Sequence, residues 1–160
     1  MKKHKHSTKF KIITTLLVVF GLLTIAFTAY AIVMEKRGVA ELNKTIAIAD
    51  KFKPPADWKL VEETKDHNGF IRCTPNDCPK VYRRYRISRI SLGDINKIKS
   101  MMKASDLVSE GSIKCHVSSN DVGKYGICTA RAKYENQYVF MNAMGDNETG
   151  IYEFVLTVNN

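Results

Sequence analysis

The 160-residue sequence lacks the short motifs that carry common enzyme chemistry. It contains no Gly-x-Ser-x-Gly elbow, His-Glu-x-x-His helix, Ser-x-x-Lys box or glycine-rich phosphate loop. His67 and His116 have no ligand or triad spacing, and we expect the neighbouring acids Glu62, Glu63 and Asp66 to be solvated. The sequence therefore predicts a protein that is not an enzyme and needs no cofactor. A small secreted enzyme with a site assembled from scattered residues is the alternative.

Charge is absent from residues 12–34. At about 1.5 Å per residue, a helix of this length reaches roughly 35 Å, which exceeds the roughly 30 Å of a bilayer's hydrocarbon core. No cysteine lies in this segment or just after it, which excludes a lipid-modified cysteine at a mature N-terminus. The segment predicts one transmembrane helix, and membrane lipid is the first expected partner.

Acids are also absent from residues 1–11, which hold five lysines. The positive-inside bias predicts a cytoplasmic N-terminus, a single pass through the cell membrane and an extracytoplasmic C-terminal domain. The triplet Ala29-Tyr30-Ala31 supports the alternative of a signal peptide cleaved after Ala31, which would release a secreted domain. The apolar run before Ala29 is longer than a typical signal-peptide core, which favours the uncleaved anchor.

The net charge of +9 is divided between the tail and the rest of the chain. The tail contributes +5, and residues 35–160 hold twenty cations against sixteen acids, which leaves +4. This mild excess does not indicate a nucleic-acid-binding protein.

Cysteines are few, and all four follow the apolar segment. An even number in an oxidising compartment predicts two disulfides, Cys73–Cys78 and Cys115–Cys128. A hairpin centred between residues 121 and 122 pairs positions whose numbers sum to 243, which places Cys115 opposite Cys128. A zinc site is the alternative, but neither pair has the usual two-residue spacing, so no metal is expected.

The stretch from residue 35 to 53 predicts an amphipathic stalk helix, which Pro54 and Pro55 end. Its apolar stripe consists of Val39, Leu42, Ile46 and Ala49. This stripe packs on the protein's own domain or on the bilayer surface, or else it mediates self-association beside the membrane.

Residues 56–160 predict one α+β domain. We expect strands over residues 58–62 and 81–90, a helix over about 92–107, and a meander of strands over 113–117, 124–133, 137–144 and 151–158. In this prediction the helix covers one face of an antiparallel sheet, and the last strand turns its apolar side toward that helix. Leu60 and Glu62 are expected on the same face of the first strand.

The second predicted strand has the most uneven charge distribution in the domain. It carries six candidate binding residues: Tyr82, Arg83, Arg84, Tyr85, Arg86 and Arg89. Guanidinium groups hold carboxylates or phosphates and tyrosine rings add stacking area, so this strand is a candidate contact surface for an anionic envelope polymer or an acidic protein partner. The alternative is a solvated edge strand. The expected function is therefore that of a membrane-anchored, extracytoplasmic binding or envelope-assembly module.

The order of elements, a membrane helix followed by an amphipathic helix and a disulfide-bonded sheet, is similar to that of type IV pilin-like subunits. This resemblance of layout implies a self-associating structural subunit as a further alternative. The glycine cleavage site and the Phe-Thr-Leu-Ile-Glu type sequence that mark that family do not occur in this chain.

Overall fold

The computed structural model describes residues 4–67, 79–87, 92–115, 126–146 and 151–159. Side chains are described from residue 10 onward, except those of residues 92, 93, 110, 126 and 146. The elements are α1 (His4–Ala49), β1 (Lys59–Asp66), β2 (Lys80–Ile87), α2 (Leu92–Ala104), a 3-10 turn (Glu110–Ser112), β3 (Ile113–Cys115), β4 (Gly126–Tyr134), β5 (Gln137–Asp146) and β6 (Ile151–Asn159). The predicted α+β class is confirmed.

Helix α1 joins the predicted membrane segment and the predicted stalk without a break. Its portion Phe10–Ala49 has a window of mean hydropathy 2.5 and is long and apolar enough to cross a membrane. The threonine hydroxyls in this portion donate to carbonyl oxygens one turn back, as Thr14 does to Phe10 at 2.9 Å and Thr28 to Thr24 at 2.7 Å. Because these hydroxyls are bonded within the helix, they add little cost in an apolar surrounding.

The strands form one antiparallel sheet in the order β1-β2-β6-β5-β4-β3. The chain runs from β3 to β6 as a meander, as predicted, and β6 then lies between β2 and β5. At one edge Cys115 pairs with Cys128 in the register predicted from the sequence, and the two are disulfide-bonded with a Cα–Cα distance of 4.1 Å. One of the two predicted disulfides is thus confirmed, and Cys73 and Cys78 lie outside the described residues.

Two helices, rather than one, cover the same face of the sheet. Helix α2 lies against β3 and β4, while the end of α1 lies against β1, β2 and β6. Ile48, Ala49 and Phe52 from this end belong to the core, where Phe52 is 2% exposed. The sequence prediction assigned the cover of the last strand to α2, whereas the residues that adjoin β6 come from α1. A fragment beginning at Ala56 would lack three core residues.

The apolar stripe of the stalk packs on the protein itself over its last two turns. Ala49 is fully buried, Leu42 and Ile46 are partly buried against the core, and Val39 is 42% exposed. Gln137 Nε2 also donates to Thr45 Oγ1 at 2.8 Å in a buried contact, which ties the helix to β5. The C-terminal part of the stripe therefore packs on the protein's own domain, which is one of the alternatives considered for the stalk.

The prediction for the first strand is wrong in one respect. Leu60 pairs with Tyr85 and Glu62 pairs with Arg84, because an irregularity between Leu60 and Glu62 inserts one residue into β1. A one-residue shift moves every later side chain to the opposite face. Leu60 therefore lies on the helix-covered face and Glu62 on the uncovered face.

Candidate binding site

The six predicted binding residues do not form one surface. Strand alternation and the pairing with β6 place Arg83 and Tyr85 on the helix-covered face, and Tyr82, Arg84 and Arg86 on the uncovered face. Arg89 lies outside the described residues. The part of the predicted surface that remains accessible consists of the second group.

Arg83 lies between the end of α1 and the edge of the sheet. Its Nη2 is 2.6 Å from Asp50 Oδ1, and its Nε is 2.8 Å from Glu63 Oε1. Burial favours the neutral form of the guanidinium, but the hydrogen bonds to the two carboxylates outweigh it, so the pKa of Arg83 is raised. Arg83 thus joins the turn after α1 to β1. It does not present a free fork of donors to solvent, as a ligand-binding arginine would.

The surroundings of Arg83 also shift two neighbouring groups. A hydrogen bond from Lys65, at 2.7 Å, and a second one from Arg83 lower the pKa of Glu63, against the opposing effect of burial. Burial raises the pKa of the Tyr85 hydroxyl. These shifts follow from a partly buried ion-pair network that supports the fold.

Arg84 is engaged on the uncovered face. Its Nη2 is 2.8 Å from Glu62 Oε2, and its Nη1 is 3.5 Å from Glu153 Oε1. Arg86 and Tyr82, two positions to either side, complete this half of the face, where Arg86 is exposed. The arginine at the centre of this half is therefore neutralised by the domain's own acids.

In the other half of the uncovered face, the described side chains of β3, β4 and β5 include cations but no acids. Among the described side chains of β3, β4 and β5 on this face, Lys114, Arg131 and Lys133 are the charged residues, and none forms an ion pair with a described acid. The Arg131 guanidinium lies 4.8 Å from the centre of the Phe140 ring and 5.8 Å from that of Tyr138. This half combines an unneutralised guanidinium with two aromatic rings, which is the combination predicted for β2.

A groove of about 640 Å³ crosses this half of the face. Register places its side chains in two neighbouring cross-strand rows. One row runs Lys114, Thr129, Asn142, Val155, and the other runs Arg131, Phe140, Thr157. The Oδ1 atom of Asn142 is buried and has no hydrogen-bond partner among the described residues. The groove thus offers cations, an aromatic ring and hydroxyls within one concave surface, and an unsatisfied acceptor lies buried in its lining.

The groove residues were missed by sequence reasoning although a signal was present. The turn Glu135-Asn136, whose positive φ angles of 47° and 69° suit a two-residue hairpin, pairs positions whose numbers sum to 271. The same arithmetic that placed the cysteines opposite each other therefore places Arg131 opposite Phe140.

The described residues contain no group of three or more His, Cys, Asp or Glu side chains that could hold a metal ion. His67, one of the two histidines considered above, bonds Glu35 of α1 at 2.7 Å, and His116 lies outside the described residues. Glu62 and Glu63, which are close in sequence, point to opposite faces of β1, because they pair with Arg84 and Arg83 respectively.

No family model, curated protein or solved structure matches the chain.

Proposed function

We propose that the protein is a non-catalytic binding module, anchored in a membrane by α1, that holds an anionic ligand on the uncovered face of its sheet. One observation carries the proposal: both helices lie on one face of the sheet, while the opposite face presents cations and aromatic rings. An antiparallel sheet with one face covered normally turns polar, unspecialised side chains to solvent. Here that face has Tyr82, Tyr138 and Phe140 beside arginines and lysines.

The charge of this face supports an anionic ligand. The described side chains at its positions include seven cations, Lys59, Lys80, Arg84, Arg86, Lys114, Arg131 and Lys133, and three acids, Glu62, Asp66 and Glu153. A patch of one sign raises the local concentration of oppositely charged partners and speeds their encounter. Arginine is also the cation best suited to carboxylate and phosphate groups, since its donors form a planar fork.

The placement of the ligand outside the cytoplasm is part of the same proposal. The five lysines before the apolar segment favour a cytoplasmic N-terminus, which would put the sheet on the other side of the membrane. The disulfide Cys115–Cys128 supports this, because disulfides persist in oxidising compartments. Mass measurement of the protein from its native membrane tests the anchor, since a mature chain that begins at Ile32 would show that the apolar segment is removed.

Binding is tested with the full chain, because the end of α1 is part of the core. The protein is placed in nanodiscs of zwitterionic lipid and titrated with anionic polymers at rising salt. We expect binding that weakens steeply with salt, since several screened charges carry the contact. The double variant Arg86→Glu/Arg131→Glu should lose this binding, and the control Lys53→Glu/Lys97→Glu, with the same charge change at exposed positions away from this face, should keep it. Equal affinities for the two double variants would refute the proposal.

A further inference from the structure

We infer that the ligand of this protein is an acidic saccharide and that it binds in the groove over β3, β4, β5 and β6. This inference rests on the proposed function, and it goes further by naming one half of the face and one class of ligand. The support comes from the groups with which Arg131, Asn142 and Phe140 can interact.

Arg131 is prepared to bind an acidic group. Its guanidinium already lies over the Phe140 ring at 4.8 Å, a contact that fixes its plane without using the N–H donors. No described acid forms an ion pair with it, in contrast to Arg83 and Arg84. A carboxylate or phosphate that enters the groove therefore meets a positioned fork of donors and displaces no acid among the described residues. Lys114, in the neighbouring row, adds a second cation.

Asn142 indicates that the ligand also donates hydrogen bonds. Its Oδ1 atom is buried without a described partner, and an unsatisfied buried acceptor costs about 1–3 kcal/mol. A carboxylate or phosphate dianion cannot satisfy it, because such groups only accept. A ligand hydroxyl can donate to it once a small shift of the Asn142 side chain brings this buried atom to the groove surface. The hydroxyls of Thr129 and Thr157 in the same groove can donate to or accept from further ligand hydroxyls.

Phe140 adds an apolar surface to the polar groups of the groove. A sugar ring presents apolar C–H groups on its faces and hydroxyls at its rim, which matches the apolar surface that Val155 and the part of Phe140 not covered by Arg131 present between threonine and asparagine. Beneath the groove, β5 and β6 are paired on both sides, and β4 is paired with β3 only at residues 128–130. An acidic peptide that bound by adding a strand would lie beside the outer edge of β4 rather than in the groove, so the groove itself favours a ligand recognised by side chains.

The test uses the full chain in zwitterionic nanodiscs and three main probes of matched length. Oligogalacturonate carries carboxylates on sugars, its methyl ester carries the same sugars without charge, and poly-L-glutamate carries carboxylates without sugars. We expect oligogalacturonate to bind about tenfold more tightly than either of the others. A phosphorylated mannan fragment, run beside it, identifies whether carboxylate or phosphate is the better acidic group, and tighter binding of either sugar acid supports the inference.

Variants locate the site. Arg131→Glu should weaken oligogalacturonate binding about tenfold or more, and Asn142→Leu, which keeps the side-chain size but removes the acceptor, about fivefold. Lys97→Glu, an exposed position on α2, should stay within about twofold of wild type. Arg131→Gln repeats the test if the reversed charge disturbs folding, which the fluorescence of Trp58 reports.

Three results would overturn the inference. If poly-L-glutamate binds as tightly as oligogalacturonate, the ligand is recognised by charge alone, as an acidic protein would be. If the methyl ester binds as tightly as oligogalacturonate, the charge of the ligand is not recognised. Binding unaffected by Arg131→Glu but lost on Arg86→Glu would move the site to the other half of the face and leave the proposed function standing, whereas no salt-sensitive binding of any anionic probe would refute both.

Discussion

Replacing Phe52 by alanine should destabilise the whole domain, although this residue lies beyond the last turn of α1. Phe52 is 2% exposed, and its ring stacks on Phe154 with centroids 4.9 Å apart and planes inclined by 5°. Trp58 and Tyr85 lie against the same ring at 6.4 and 6.0 Å. The side chain is therefore the centre of an aromatic cluster that joins the end of α1 to β2 and β6.

The expected loss is about 3–5 kcal/mol of unfolding free energy, the range for phenylalanine-to-alanine changes in well-packed cores. The upper half of the range is expected, because the substitution removes contacts with three rings as well as apolar area. A loss of this size is a large fraction of the roughly 5–15 kcal/mol that stabilises a typical domain.

Urea unfolding of the full chain in nonionic detergent measures the effect. Trp58 is the single tryptophan of the chain and lies 5.0 Å from the Phe154 ring, so its emission reports this cluster directly. Phe20→Ala is the matched control, because Phe20 is 67% exposed within the apolar segment. If the two variants have unfolding free energies within about 0.5 kcal/mol of each other, the end of α1 is not part of the core and the reasoning fails.

Three further predictions concern the ion pairs and the disulfide. Arg83→Met should lower the unfolding free energy by about 2–3 kcal/mol, which is less than for a fully buried pair because the Asp50 and Glu63 side chains are 55% and 28% exposed. The control Arg86→Met, at an exposed position, should change the unfolding free energy by under about 0.5 kcal/mol, and equal small losses for the two variants in urea unfolding would contradict the prediction. The pKa of Glu63 is lower in the folded than in the unfolded protein, so its contribution to stability is complete above the unfolded pKa of 4.5 and is lost as pH falls through the folded pKa. Glu63→Gln should therefore flatten the decline of the unfolding midpoint between about pH 5 and 3, and an unchanged slope would disprove the role of Glu63. Replacing both Cys115 and Cys128 by alanine should cost about 3 kcal/mol, and reduction of the wild type should give a similar shift; a wild-type midpoint insensitive to reductant would argue against this contribution.

Much of the sheet could be predicted because its signals are local. The alternation in the last strand identified the buried residues Tyr152, Phe154, Leu156 and Val158, and the turn predicted between residues 121 and 122 gave the register at the cysteines. In both cases the pattern and its consequence lie within one strand or one hairpin, so no knowledge of the remaining chain is needed.

The environment of the arginines could not be predicted because it depends on distant contacts. Asp50, which pairs with Arg83, is thirty-three residues away and belongs to the turn after α1. Arg83 resembles Arg84 and Arg86 in sequence, and only the position of α1 against β2 makes it a buried residue. The arginines of β2 are therefore dense in the sequence, but in the folded protein they do not form one dense patch of free charge.

The groove illustrates the same limit for a candidate site. Lys114, Arg131 and Phe140 come from three strands, and each is ordinary in its own strand. They become neighbours through two registers taken together, β3 with β4 and β4 with β5. The β4–β5 register could be read from the hairpin turn, but the concavity of the face could not.

The central position of β6 has a consequence for the order of events during synthesis. Strands β1 and β2 leave the ribosome early, and β3, β4 and β5 follow, but no ladder joins β2 to β5 directly. The six-stranded sheet therefore cannot be completed until β6 has been made and inserted between β2 and β5. The aromatic cluster around Phe52 also waits for Phe154, which lies on that strand. Until then a nascent chain leaves the inner edges of β2 and β5 unpaired, and unpaired strand edges are prone to wrong pairing and aggregation.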